Sequence, residues 1–71
     1  DALLFMCLGD FYEAFDEDAA QVARDLGVLL TSVSDGHGQR ALMAGFPKSM
    51  ADDYIEQLVD RGHRVARLEP V

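Results

Sequence analysis

An uninterrupted apolar run, Ala2–Leu8, sets the strongest limit on what this chain can fold into. Seven apolar residues closed by Gly9 are typical of a central strand that is buried on both faces. The same run is far too short to cross a bilayer as a helix. Because the chain has only 71 residues, this strand is expected to lie in the sheet of one small domain with a single core.

The remaining pattern predicts two helices and three further strands. Carboxylates at residues 16–18 suit the start of a helix, and apolar residues then recur at helical spacing until Gly27. A second helix is predicted over residues 50–61, where Ser49 and Asp52 have capping-box-like spacing and Gly62 follows. Strands are predicted at residues 28–33, 40–46 and 64–68. The expected order is β-α-β-β-α-β, an α/β domain with a small mixed sheet and two helices.

Charge and cysteine content exclude several classes of protein. The formal net charge is −7, and residues 1–35 hold eight acids against Arg24 alone, whereas residues 36–71 are balanced. Since phosphate neutralisation supplies most non-specific affinity for nucleic acids, this domain is expected to bind DNA weakly by itself. Cys7 is the only cysteine, which excludes an intrachain disulfide framework and a cysteine-rich zinc site. A reducing, intracellular setting is the default expectation.

The segment 4–15, Leu-Phe-Met-Cys-Leu-Gly-Asp-Phe-Tyr-Glu-Ala-Phe, resembles the start of the mismatch-recognition domain (domain I) of the MutS family of DNA mismatch repair proteins. The motif Met-Ala-Gly-Phe-Pro at 43–47 and the stretches 26–31, 50–61 and 64–69 agree with that family in order and spacing. The resemblance therefore extends over nearly the whole chain. The family's usual residues are replaced at Cys7, Lys48, Ser49, Leu68 and Pro70.

This resemblance implies a fold, a function and partners. Residues 1–71 are expected to form a single domain I-like module, as a fragment or truncated form without the first helix and the C-terminal part of the domain. The module would bind DNA and would not be an enzyme, since ATP and magnesium belong to the ATPase domain of full-length members; no cofactor is expected. Expected partners are mismatched double-stranded DNA and other domains or proteins that hold DNA. No membrane is involved, and the implied location is the bacterial cytoplasm or nucleoid.

The resemblance also implies which residues contact DNA. In the MutS family, the Phe of a Phe-x-Glu motif stacks on a mispaired or unpaired base from the minor groove, and the Glu hydrogen-bonds that base. Carried over, these roles fall on Phe11 and Glu13. Unstacking a base step costs less where pairing is already defective. Glu13 must either accept from a base donor or be protonated and donate, which would raise its pKa. Further DNA contacts are predicted at four basic residues, Lys48, Arg61, Arg64 and Arg67.

Two alternatives of different classes stay open. The acidic first half could dock a basic partner, which would make this a diverged accessory protein–protein interaction domain that keeps the fold. A buried Phe11 would favour that alternative, and a projecting Phe11 would count against it. The carboxylates of Asp10, Glu13 and Asp16 could also hold magnesium for a nuclease, although three acids between a strand and a helix need not converge.

Other side chains are given structural roles. His37 lies in a glycine-flanked turn and His63 follows Gly62, so both are expected to be exposed. Cys7 is expected to be a small buried hydrophobe. Four aromatic residues are assigned to the core: Phe5, Phe15, Phe46 and Tyr54.

Overall fold

A computed structural model describes residues 1–70. These residues form five strands, two α-helices and one 3₁₀ turn, in the order β1 (Ala2–Leu8), β2 (Phe11–Phe15), α1 (Asp16–Leu26), β3 (Thr31–Ser34), β4 (Arg40–Pro47), the 3₁₀ turn (Lys48–Met50), α2 (Ala51–Asp60) and β5 (Arg64–Leu68). The predicted fold class, an α/β domain with a small mixed sheet and two helices, is confirmed.

The five strands form one sheet in the order β3-β4-β2-β1-β5. β1 and β5 are parallel, and the other neighbours are antiparallel. β1 lies between β2 and β5, as its apolar sequence predicts. The parallel β1–β5 pair is possible because the whole of β2 to α2 lies between the two strands and provides the long crossover that parallel strands need.

One strand, β2, is absent from the predicted order. The structure shows Phe11–Phe15 as a strand that pairs with β1 through Leu8↔Phe11 and Met6↔Glu13. Gly9 and Asp10 form the two-residue loop between them, and Gly9 has a φ of 61°. A two-residue hairpin with a glycine at its first position favours such a positive φ. The first part of the domain is therefore a β-hairpin followed directly by α1.

The core lies on one face of the sheet. Its members are buried strand residues that alternate along β1, β2 and β4, together with residues of both helices: Leu3, Phe5, Tyr12, Ala14, Ala19, Val22, Ala44, Phe46, Ala51 and Leu58. The Phe46 ring centroid lies 5.1 Å from that of Phe5 and 5.1 Å from that of Tyr54. We call this side of the sheet the covered face.

The opposite side, which we call the open face, carries the residues in between. Leu4, Met6 and Leu8 of β1 are all exposed there. The expectation that β1 is buried on both faces is therefore wrong for the described residues, because α1 and α2 both pack on the covered face. Phe5 and Phe46 are in the core as expected, whereas Phe15 is half-buried on the open side.

The helix ends agree with the sequence signals at α1 and differ at α2. Gly27 ends α1 with a φ of 72° and donates its amide to the carbonyl of Ala23. α2 begins at Ala51 after the 3₁₀ turn, and no side chain caps it. Ser49 therefore does not act as the capping residue that its spacing to Asp52 suggested. Asp18, in the first turn of α1, accepts a hydrogen bond of 3.0 Å from the amide of Leu4.

The predicted strand at residues 28–33 is shorter and lies later in the chain. β3 begins at Thr31, which pairs with Met43 of β4. Val28 packs against the core before the strand begins, and Leu29 is 78% exposed. Residues 28–30 thus carry the chain from the end of α1 to the edge of the sheet.

Candidate nucleic-acid interface

The hairpin of β1 and β2 places Phe11 at one end of the sheet. Phe11 pairs with Leu8 of β1 and with Pro47 of β4, so its backbone is held from both sides. Its side chain lies on the open face and is 44% exposed. The next residue, Tyr12, points the opposite way and is 5% exposed. Strand alternation thus separates a projecting aromatic ring from a core aromatic ring at adjacent positions.

Glu13 lies on the same face as Phe11, two residues further along β2 from the sheet end. It pairs with Met6 and Gly45, and its side chain is half-buried. Burial raises the pKa of the Glu13 carboxyl above its ordinary value, because the charged form loses hydration. The carboxylate lies across Gly45, and a Cβ at that position would collide with both the Glu13 carboxylate and the Tyr12 carbonyl oxygen. Gly45 therefore provides the space in which Glu13 rests.

A second cluster surrounds Tyr12 on the covered face of the same sheet end. The Tyr12 hydroxyl donates a 2.7 Å hydrogen bond to Oε2 of Glu69, and this bond is the main cause that raises the pKa of the phenol. Lys48 Nζ lies 5.8 Å and Arg67 Cζ lies 5.5 Å from the centroid of the Tyr12 ring. Both are within the range of a cation–π contact. Charge attraction to Cys7 first, and a hydrogen bond with the same side chain second, raise the pKa of the Lys48 ammonium.

The structure separates the four basic residues into two groups, although Arg67 itself is in register with Phe5 in the middle of β1. Lys48 and Arg67 are exposed beside Tyr12. Arg64 pairs with Ala2 at the other end of β1, and Arg61 directly follows α2 at that end. Arg61, Arg64 and Arg67 therefore do not form one basic cluster, because Arg64 and Arg67 lie three residues apart on a strand and face opposite sides.

Two other expectations about titratable residues have different outcomes. His37 is exposed in its turn, as predicted. His63 is only 26% exposed, and its Nε2 lies 2.6 Å from Oδ2 of Asp25 in α1. The prediction of an exposed His63 is wrong because its ring is hydrogen-bonded to Asp25, a residue 38 positions away in sequence. Cys7 is half-buried on the covered face.

Asp10, Glu13 and Asp16 do not form a metal site in this structure. Among residues 1–70, no group of three or more His, Cys, Asp or Glu side chains is placed to hold a metal ion. Asp10 lies in the hairpin loop, Glu13 lies on the open face and Asp16 begins α1. The carbonyl of Asp10 accepts the Lys48 amide at 2.7 Å, which ties the hairpin to the end of β4.

Comparison with known proteins identifies the family to which this geometry belongs. The family model described as MutS domain I matches residues 1–71. This chain belongs to the MutS domain I family. Proteins named DNA mismatch repair protein MutS from Bacillus mycoides (strain KBAB4), Bacillus cereus (strain ATCC 14579) and Bacillus thuringiensis (strain Al Hakam) are each 51% identical over all 71 residues. The chain spans 8% of the length of these relatives.

Two features of this MutS domain I chain were missed by sequence reasoning. The cluster of Tyr12, Lys48, Arg67 and Glu69 joins residues up to 57 positions apart, and no local pattern marks it. The need for glycine at position 45 follows from its pairing with Glu13, and an isolated glycine inside a strand is the signal that could have found it. No helix within residues 1–70 has the length and apolar character needed to span a membrane.

Proposed function

We propose that this domain recognises a mispaired or unpaired base in duplex DNA, as part of mismatch repair, by inserting the ring of Phe11 at the defective step. The observation that carries the proposal is the 44% exposure of Phe11 on a backbone paired with two neighbouring strands, in a member of the MutS domain I family. An exposed, rigidly mounted aromatic ring suits insertion between bases. Discrimination follows because a step costs less to unstack and kink where pairing is defective.

Glu13 is the proposed hydrogen-bonding partner of the displaced base. It lies on the same face as Phe11, and its side chain is half-buried against β4. The raised pKa of its carboxyl favours a protonated form, which can donate to a base nitrogen without adding a negative charge beside the phosphates. The ionised form can instead accept from a base donor.

The domain acts as a binding module within a larger assembly. Its charge of −7 opposes DNA binding, so other domains or partner proteins hold the duplex while Phe11 tests it. No catalytic step is assigned to its residues, and ATP hydrolysis would belong to a separate domain.

A protein–protein interaction domain is the second candidate, and the open face favours it. Leu4, Met6 and Leu8 are 38–46% exposed along β1, and exposed apolar patches mark interaction sites. Phe11 pairs with Leu8 and extends this exposed apolar surface, so its projection fits either candidate and the affinity test below separates them.

The test compares two duplexes that differ only at one mispaired base. Affinity is measured at low salt by fluorescence anisotropy, with the chain alone and with the chain fused to a sequence-neutral DNA-binding domain. We expect a preference for the mismatched duplex that Phe11→Ala lowers by about tenfold, since a stacked base is worth about 1–3 kcal/mol. Leu29→Ala is the matched control, because Leu29 is exposed but far from the hairpin in sequence. Equal affinity for both duplexes, unchanged by Phe11→Ala, would overturn the proposal.

The role of Glu13 is tested by the pH dependence of the same preference. If the protonated carboxyl donates to the base, the preference falls as pH rises through the pKa of Glu13. Glu13→Gln keeps a donor at every pH, so its preference should be constant over that range. A parental preference that rises with pH would show that the carboxylate acts as an acceptor.

A further inference from the structure

We propose that Lys48 and Arg67 together bind a phosphate group of the DNA strand beside the inserted Phe11, and that Tyr12 holds them in place. This inference rests on the proposed function and adds a backbone contact to the base contact. Of the four basic residues predicted to contact DNA, it assigns the phosphate contact to these two and not to Arg61 or Arg64.

The first support is the position of the two cations relative to the hairpin. Lys48 follows Pro47, whose Cα is paired with that of Phe11, and the Lys48 amide donates to the Asp10 carbonyl of the hairpin loop at 2.7 Å. Arg67 lies on β5, which is separated from β2 only by β1. Both cationic groups reach the same ring, that of Tyr12, at 5.8 Å and 5.5 Å from its centroid.

The second support is that their platform is fixed while the charges remain accessible. Tyr12 is buried, and its hydroxyl is held by Glu69 at 2.7 Å. Lys48 and Arg67 are both exposed. A cationic group already held over an immobile aromatic ring loses less conformational freedom when it binds an anion, which favours a phosphate contact there. Glu69 is the acidic group of this cluster; it accepts a hydrogen bond from the tyrosine hydroxyl, and its charge also attracts Lys48, so the two cations exceed it by one charge.

The third support is geometric complementarity to a groove. Phe11 projects from the open face at one end of the sheet. On the covered face, Lys48 directly follows β4 at that end, whereas Arg67 is in register with Phe5 in the middle of β1 and extends its guanidinium to the Tyr12 ring. The minor groove is about 6 Å wide and is bordered by a phosphate backbone on each side. When the sheet end directs the Phe11 ring into the minor groove, the covered face therefore comes toward one of the two phosphate backbones. Arg64 lies about 10 Å further along β5 and faces the opposite side.

The experiment measures the salt dependence of binding for mismatched and matched duplexes. Each phosphate contact contributes about 0.9 to the slope of log K against log salt concentration. We expect Lys48→Gln and Arg67→Gln each to reduce this slope by about 1 for both duplexes, with the ratio between the duplexes unchanged. Lys48→Arg keeps the charge and should keep the slope. Arg24→Gln, an equal loss of charge at an exposed position on α1, is the matched control.

The outcomes separate this inference from the proposed function. Unchanged slopes in Lys48→Gln and Arg67→Gln would overturn the phosphate contact. An equal reduction in Arg64→Gln would also overturn it, since net charge and not the Tyr12 cluster would then govern binding. A parental affinity equal for both duplexes would instead contradict the role of Phe11, whatever the slopes. Circular dichroism of each variant establishes that the fold is retained.

Discussion

The two faces of the sheet are built from the same strands and both carry many apolar residues, yet the fully buried residues all lie on one of them. On the covered face, Phe5 and Phe46 are 0% and 1% exposed. On the open face, Leu8 and Phe11 are 46% and 44% exposed. The strands alone do not produce this difference. It arises because α1 and α2 both pack on one side of the sheet. Alternate residues of each strand point to opposite faces, so those that point toward the helices form the core and those between them lie at the surface.

The comparison teaches which side of this domain carries stability and which is available for binding. A chain of 71 residues buries a limited area and has little stability to spare. Its core side chains are therefore indispensable to folding, whereas open-face side chains can change with little effect on the fold. Phe11 and Glu13 lie on the face where such freedom exists, and a binding site built there does not compete with the core.

The same substitution on the two faces gives the sharpest test of this contrast. Phe5→Ala should lower the free energy of unfolding by about 3–5 kcal/mol, because it leaves a cavity among buried side chains. A loss of this size would leave much of a small domain unfolded. Phe11→Ala should lower the free energy of unfolding by no more than about 1 kcal/mol, since nearly half of this residue is already exposed to water. Urea denaturation measures both, and equal losses would show that the open face is covered in solution.

Gly45 is the position on the open face where we expect a larger side chain to destabilise the fold. Gly45→Ala should lower the free energy of unfolding by about 1–3 kcal/mol, because the new methyl group collides with the Tyr12 carbonyl and the Glu13 carboxylate. In a Glu13→Ala background the cost should be smaller, since only the carbonyl collision remains. Thermal denaturation of the parent, the two single variants and the double variant gives the coupling free energy between positions 13 and 45. An identical cost in both backgrounds would mean that the collision with the Tyr12 carbonyl alone sets the cost and that the Glu13 side chain moves aside freely.

Local pattern was sufficient to predict most elements of this fold. The apolar run of β1 and the glycine that ends α1 are signals read within a few residues, and both elements have the predicted bounds. β2 was missed because it runs directly into α1 without a turn residue, and because aromatic residues at Phe11, Tyr12 and Phe15 hide its alternation. The two-residue Gly9-Asp10 loop was the available sign of a hairpin.

The site was less predictable because its arrangement depends on pairing between distant segments. The sequence indicates Phe11 and Glu13 through a family resemblance, and the strand places both side chains on one face. The meeting of Lys48 and Arg67 at Tyr12 requires β4, β2 and β5 to be aligned, which no local pattern determines. The separation of Arg64 from Arg67 was available from strand alternation alone, since side chains three residues apart lie on opposite faces.

The raised pKa of Glu13 gives the open face a pH dependence of known sign. Since the folded state disfavours the carboxylate, its contribution to stability is fully present below the ordinary glutamate pKa of about 4.3 and is lost as pH rises through the folded pKa. Glu13→Gln should therefore be slightly more stable than the parent at neutral pH, by less than about 1 kcal/mol because much of the carboxyl remains in water. Urea midpoints across pH measure this, and a less stable variant at neutral pH would contradict it.

The covered side has the opposite pH dependence, through Asp25. Hydrogen bonds from Gln21 first and from His63 second lower the pKa of the Asp25 carboxyl. Its contribution to stability is therefore present above the ordinary aspartate pKa and is lost as pH falls through the folded pKa. Asp25→Asn should be less stable than the parent at neutral pH and should lose less stability on acidification, which thermal denaturation over a pH series measures. Gln21→Met removes the larger of the two causes and should reproduce part of this change; if it leaves the acid dependence of the parent intact, the carboxylate is not stabilised by its neighbour on α1.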